Sequence, residues 1–346
     1  MKETMRFTGP EPDNTLPACT GILLTNLGTP DSTAVGDVRR YLKEFLSDPR
    51  VIETPRLLWW LILNGVILRI RPARSAAAYR KVWTEQGSPL LFHTQNIAEK
   101  LQQSFASVTG TPVSVVTAMR YGHPSIEEGL EQLRRQNARR ILILPLYPQY
   151  SATTTASTFD EISRVLRSWR WLPELRFINH YHDNPDYIGA LADSIKSYWQ
   201  QHGQPDRLLL SFHGIPQSYQ EKGDPYGREC HTTAKQLAQA LALSDEQWAI
   251  TFQSRVGTQE WLKPYTDEKL KQWGAEGVGR VDVACPGFPA DCLETIEEIG
   301  DENRDYFLEA GGKEYRYIPA LNSSDGHIEA LNRLVKQHLW NDESIV

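Results

Sequence analysis

The chain has 346 residues, 40% hydrophobic and 10% aromatic, with 37 Lys and Arg against 43 Asp and Glu for a formal charge of −6. This length fits about two domains of roughly 150 residues, and ten Trp, fourteen Tyr and ten Phe exclude a chain without a packed core. The mildly acidic balance excludes a whole-protein nucleic-acid binder, and four scattered cysteines (19, 230, 285 and 292) with no CxxC pair exclude a disulfide framework.

Residues 1–18 (MKETMRFTGPEPDNTLPA) hold no apolar run like that of a secretory signal, and read as a flexible tail. With the cysteines reading as reduced thiols, a cytoplasmic location is expected. The first strand is GILLTNL (21–27), followed by a helix over 38–46 with Val38, Tyr41, Leu42 and Phe45 on one face. The most apolar window, LLWWLILNGVIL, starts at Leu57 and ends at Leu68. Asn64 and Gly65 interrupt it, and it falls short of the ~20 residues that span a bilayer. VSVVTAM (113–119) and ILILPLY (141–147) are the next strands. The second half offers LRFINHY (175–181), a helix over 185–199 with Ile188, Leu191, Ile195 and Trp199 on one face, then LLLSFH (208–213), AITFQS (249–254), VDVAC (281–285) and YRYIPA (315–320). Strands so continuously apolar are covered on both faces, and their alternation with amphipathic helices predicts an α/β protein with parallel sheets. The halves divide near 155–175, after RSWRWLP. The expected parts are a tail (1–18), a first domain (19–165), a second domain (166–322) and a C-terminal helix and tail (323–346).

Ligands of open parallel sheets bind beyond the carboxyl ends of the strands, so the polar residues there carry the functional signal. The first strand runs into Gly28, Thr29 and Pro30 with no GxGxxG, and Pro30 stands where a phosphate-cradling amide is wanted, which argues against a nucleotide site. LLLSFH ends in His213, followed at once by Gly214 and Pro216. A strand-end imidazole can exchange a proton or ligate a metal near neutral pH; the alternative is a core histidine bonded to backbone. The third end is CPGFPADCLETIEE, from Cys285. Asp291 and Glu294 have the spacing of a helix capping box, whereas Glu294 and Glu298, one turn apart, repel each other unless a cation is near or solvent screens them. His213 with this acidic line suggests a metal or acid–base site.

At these residues the sequence resembles the ferrochelatases, which insert ferrous iron into a porphyrin. The resemblance runs from Gly21 to about residue 340, on GILLTNLGTP, MRYGHP (119–124), LYPQYS (146–151), SFHGIP, GDPY (223–226), TFQSRVG with Trp261, and CPGFPADCLETIEEI. It implies two Rossmann-like domains with parallel sheets flanked by helices, a cleft between them and a lip over the cleft at about 55–85. Carried over by position, His213 and Glu294 are the expected catalytic pair and, with Glu298, the expected metal-handling residues. Arg120, Tyr121, Trp261, Phe288 and Leu27 match pocket positions; Tyr79 and Ser88 match contacts to the porphyrin propionates, and Arg71 is a weaker transfer. Where some members carry the first cysteine of an iron–sulfur cluster this chain has Ala152, so no cluster is expected and Fe²⁺ enters as substrate. Leu27, in place of the Tyr of coproporphyrin users, implies protoporphyrin IX as the other substrate and haem b as the product. Cys292 replaces a His of other members.

Insertion exchanges two pyrrole protons for a dication, which assigns proton acceptance and metal delivery to the two walls of the cleft without saying which does which. Both ligand types accept Fe²⁺ and Zn²⁺ alike. Tyr121, Trp261 and Phe288 would stack on the macrocycle, and Arg120 would anchor an anion or else be a surface arginine. The 57–68 run is either a buried helix or a peripheral contact with the inner face of the cytoplasmic membrane, flanked by Arg56, Arg69, Arg71 and Arg74. A non-catalytic tetrapyrrole binder and a cobalt or nickel chelatase are the competing readings. Monomer and homodimer both stay open.

Overall fold

The computed structural model describes Phe7, residues 15–105 and residues 112–340, so most of the expected N-terminal tail and the end of the C-terminal one lie outside the described residues. The apolar runs form strands β1 (Cys19–Gly28), β2 (Val113–Tyr121), β3 (Ala138–Pro145), β4 (Glu174–Phe177), β5 (Arg207–His213), β6 (Trp248–Gln253), β7 (Arg280–Ala284) and β8 (Glu314–Tyr317). They build two parallel four-stranded sheets, ordered β2-β1-β3-β4 and β6-β5-β7-β8. In each half the chain pairs its second strand on one side of the first and its third on the other. β1 and β5 therefore stand at matching points of strand-order reversal, where such sheets open a crevice beyond their carboxyl ends. β5 ends at His213, and β1 at Gly28.

At the end of β1 only glycine fits. Gly28 has φ +116°, and a Cβ on it would stand 1.8 Å from the Tyr121 carbonyl oxygen; Gly122, at φ +81°, would put a Cβ 2.6 Å from the Thr29 carbonyl oxygen. The ends of β1 and β2 close on each other there.

The halves share a core. One buried apolar cluster joins Ile22, Leu24, Leu142 and Leu144 of the first sheet to Leu208, Leu210 and Phe212 of the second through helices Pro89–Phe105, Pro185–His202, Tyr226–Ala240 and Asp325–His338. Helix Pro185–His202 starts as its sequence dictates: Asn184 accepts from the amides of Asp186 and Tyr187, and Pro185, lacking an N–H, takes the first turn. The expected helix over 38–46 is Val35–Ser47.

The expected domain boundary after residue 165 needs correcting. β4 pairs with β3 through Arg140 to Ile143, so residues 174–177 belong to the first sheet and the division between sheets falls between β4 and β5. β4 is a short edge strand with three of its four residues exposed, so its run carries no sign of which sheet it joins.

Candidate active site

β5 stays buried through Phe212 and emerges at His213, whose side chain is partly exposed. His213 Nδ1 lies 2.7 Å from the Gly214 carbonyl oxygen. A carbonyl only accepts, so this bond requires the proton on Nδ1 and leaves the Nε2 lone pair free. Gly214 is needed beside it: a Cβ there would come within 3.2 Å of the Trp261 ring and 2.9 Å of the Gln253 carbonyl oxygen. Trp261 is pinned by its indole N–H, which donates to the Val256 carbonyl oxygen (2.9 Å). On the turn after β7, Phe288 sets its ring 6.5 Å from the His213 ring. His213, Trp261 and Phe288 are thus gathered at one strand end.

The acidic line takes a different local form from the expected capped α-helix. Residues Glu294–Glu302 form a π-helix, a rare form that recurs at functional sites. The capping box does not form, because Asp291 is occupied elsewhere. Its carboxylate accepts from Tyr317 Oη (2.5 Å), Asn322 Nδ2 (2.7 Å) and Thr295 Oγ1 (3.0 Å). Glu294 is thereby released from a capping role. It stands beside the buried side chains of Tyr41, Tyr79 and Cys292, and its charge adds to the burial that pushes all three groups well above their usual pKa values.

Glu298 is held from the other side. The Ser254 amide donates to Oε1 (2.7 Å), the Ser254 hydroxyl to Oε2 (2.5 Å), and Gln253 Nε2 lies 3.4 Å from Oε2. Ser254 reaches both oxygens because its backbone is left-handed, with φ +66°. Gln253 is the ladder partner of His213 on β6, and its amide also donates to the Glu294 carbonyl oxygen (2.9 Å). One side chain therefore joins the imidazole's strand end to the acidic helix. Burial raises the Glu298 pKa to about 7, with the nearby charge of Glu294 adding to it and the Ser254 bonds opposing it. A carboxyl with that proton affinity holds and releases a proton near neutral pH. Ser254 and Gln253 were missed by sequence reasoning, since neither a left-handed serine nor a cross-strand amide leaves a local signal.

Four of the expected substrate contacts are placed differently. Tyr121 is fully buried, its hydroxyl donating to Asp48 Oδ2 (2.8 Å), and offers no face for stacking. Arg120 is neither a free anchor nor a surface arginine: it pairs with the same Asp48 oxygen (2.6 Å) and donates to Ser157 (2.7 Å to Oγ). Asp48, itself buried, draws these groups inward because its charge needs them. Tyr79 and Ser88 are also buried, Tyr79 next to Glu294. Arg71 is exposed near Tyr79, and Leu27 is partly exposed, packed on the cluster that contains Tyr121.

The apolar window is not a buried helix. It belongs to a continuous helical stretch over 56–82, with a π segment at Leu63–Ile67. Leu57 is 77%, Trp60 60% and Ile70 70% exposed, while Leu63 and Leu68 are buried and the Trp59 indole N–H donates to the Leu46 carbonyl oxygen (2.6 Å). Leu293 and Ile296 of the acidic segment pack on the same cluster as its inner side. No helix among the described residues is long and apolar enough to cross a membrane.

The family model described as Ferrochelatase matches residues 19–339. The chain belongs to the ferrochelatase family. It is 56% identical to a ferrochelatase of Thioalkalivibrio sulfidiphilus, across 97% of this chain and 91% of that protein, and 58% identical to one of Marinobacter nauticus, across 92% and 86%. Among solved structures it is similar to SirB from Bacillus subtilis with Fe³⁺ (TM-score 0.55, 14% identity, 94% of this chain and 97% of that one), a likeness of fold. Family membership carries iron insertion into a porphyrin in haem synthesis as the activity, which sets aside the non-catalytic and the cobalt or nickel chelatase readings. Within the family pattern, Ala152 opens a π-helical turn, its amide donating to Asp224 (2.7 Å), and the four cysteines are buried and free.

Proposed function

We propose that the chain is a protoporphyrin ferrochelatase of the lyase class, inserting Fe²⁺ into protoporphyrin IX with release of two protons to give haem b. The observation that carries this is the pairing, through Gln253, of an imidazole with a free Nε2 and a carboxyl whose pKa is about 7. Glu298 takes one pyrrole proton and His213 takes the other or, where His213 receives the metal, Glu294 takes it; the charge of Glu294, one turn from Glu298, also favours a dication. Trp261, Phe288 and Leu27 form the apolar lining against which the macrocycle rests. Arg120 and Tyr121 act behind this lining, holding Asp48 and the end of β2 in place. Leu27 supports protoporphyrin over coproporphyrin, and Ala152 supports an enzyme without an iron–sulfur cluster. The exposed face of Leu57, Trp60 and Ile70 supports peripheral contact of a cytoplasmic protein with the membrane, where a hydrophobic substrate is met.

The test is anaerobic incubation with Fe²⁺ or Zn²⁺ and either porphyrin, followed by visible spectroscopy. Metallation of protoporphyrin, abolished in His213→Ala while porphyrin still binds, is expected. Near-normal turnover by His213→Ala would refute its role, and equal turnover of coproporphyrin would refute the substrate assignment.

A further inference from the structure

Away from this site, three potential ligands converge where the chain leaves β4. The HYHD segment puts His180 and His182 on either side of the buried Tyr181, whose amide donates to the Pro148 carbonyl oxygen (2.9 Å) and whose hydroxyl donates to that of Leu146 (2.9 Å). The two imidazole rings lie with centroids 4.9 Å apart. Glu229, in the first turn of helix Tyr226–Ala240 and itself buried, completes the group. Its Oε1 is 2.7 Å from His180 Nδ1, its Oε2 is 3.4 Å from His182 Nδ1, and one ligand atom from each of the three residues lies within 4.8 Å of the others.

A hydrogen-bonded triad would leave no group unsatisfied, and this one does. His182 is 9% exposed, yet its Nδ1 has no hydrogen-bond partner, although it faces Glu229. Buried polar atoms rarely stay unpaired, and two imidazoles with a carboxylate between them are donor types that divalent transition metals take. Glu229 Oε2 is oriented by the Tyr150 amide (2.7 Å), and the Thr233 hydroxyl donates to the His182 carbonyl oxygen (2.8 Å), so both the carboxylate and the segment are held in place. His180 is 45% exposed at its side chain and opens the group to solvent. Asp183 adds a carboxylate 3.9 Å from His182 Nδ1.

We propose that His180, His182 and Glu229 form a second metal site, for a divalent ion of the Zn²⁺, Co²⁺ and Fe²⁺ class, with an open position for water. Two imidazoles and one carboxylate suit this class and disfavour Mg²⁺ and Ca²⁺, which want oxygen ligands. The ion would clamp the segment after β4 to a helix of the second half. The site shares no residue with the His213 centre.

The test uses Co²⁺ alone, without porphyrin, by equilibrium dialysis and visible d–d absorption. His213→Ala removes a ligand of the other centre and is expected to keep about one bound Co²⁺ with the absorption of a nitrogen-ligated ion. Adding His180→Ala, at a half-exposed position, weakens that binding by more than about tenfold, and adding His182→Ala as well abolishes it. On the wild-type background His180→Ala/His182→Ala loses one Co²⁺ equivalent and part of the Co²⁺-dependent rise in Tm, but retains Zn²⁺ insertion into porphyrin. Unchanged Co²⁺ stoichiometry and spectrum in the His180 variant would overturn the proposal, whatever porphyrin the enzyme uses.

Discussion

Glu298 ties the site to a measurable cost. Its carboxyl is raised from 4.5 to about 7 in the folded chain. That difference corresponds to ~3 kcal/mol between the two protonation states. A folded-state pKa above the unfolded one means that the contribution to stability is fully present below pH 4.5. It declines as pH rises, because the unfolded chain releases this proton first, and it is gone above about pH 7. Glu298→Gln keeps one oxygen to accept from the Ser254 amide and an NH2 that can donate to the Ser254 hydroxyl oxygen, as the protonated acid can, but has no proton to lose. The two proteins should therefore have similar stability near pH 4.5, and the variant should gain up to ~3 kcal/mol on wild type by pH 8. Urea unfolding of both proteins across this range measures the difference, in which titrating groups that do not interact with Glu298 cancel. The same variant should metallate porphyrin more slowly by about a hundredfold, having lost a proton acceptor. Parallel stability curves, or wild-type metallation at pH 7, would refute the reasoning.

Three further perturbations follow from the same geometry. Asp48→Ala leaves the Arg120 guanidinium buried without its counter-charge and should cost ~3–5 kcal/mol in urea unfolding; a loss under about 1 kcal/mol would mean that solvent reaches Arg120. His327 is fully buried, and burial lowers its pKa from 6.5 to about 4, so the neutral ring contributes stability above pH 6.5 that is lost as pH falls through 4. The loss is worth ~3 kcal/mol, and His327→Gln should flatten that acid limb of the unfolding curve. Leu57→Glu/Trp60→Glu, both at exposed positions, should abolish co-sedimentation with anionic liposomes without changing Tm by more than about 2 °C, whereas equal sedimentation would remove the lip from the membrane.

The strands were legible because they are covered on both faces and so nearly continuous in apolar residues; the exception is β4, four residues at an edge, whose sheet could not be read. His213 was legible for a related reason, since Gly214 and Pro216 mark the turn that ends its strand, whereas Trp261 and Phe288 entered only through the resemblance to the family. What failed depended on distant partners. Asp291 and Glu294 have the spacing of a capping box, but Tyr317 and Asn322, from beyond β7, claim the aspartate first. Arg120 and Tyr121 read as pocket residues until Asp48, more than seventy positions earlier, turns them inward. A partner so far along the chain leaves no periodicity to detect.

The acidic segment was the least legible part, and its form explains how two carboxylates one turn apart come to differ. Glu294 is set against Tyr41 and Tyr79 of the first half, and Glu298 against Gln253 and Ser254 of the second. A π-helix begins at Glu294 itself, so the two side chains share a face yet engage separate halves of the molecule. Glu294 thereby faces two helices of the first half, and Glu298 the end of a strand of the second. Because Glu294 raises the proton affinity of Glu298, a dication arriving beside them must lower it.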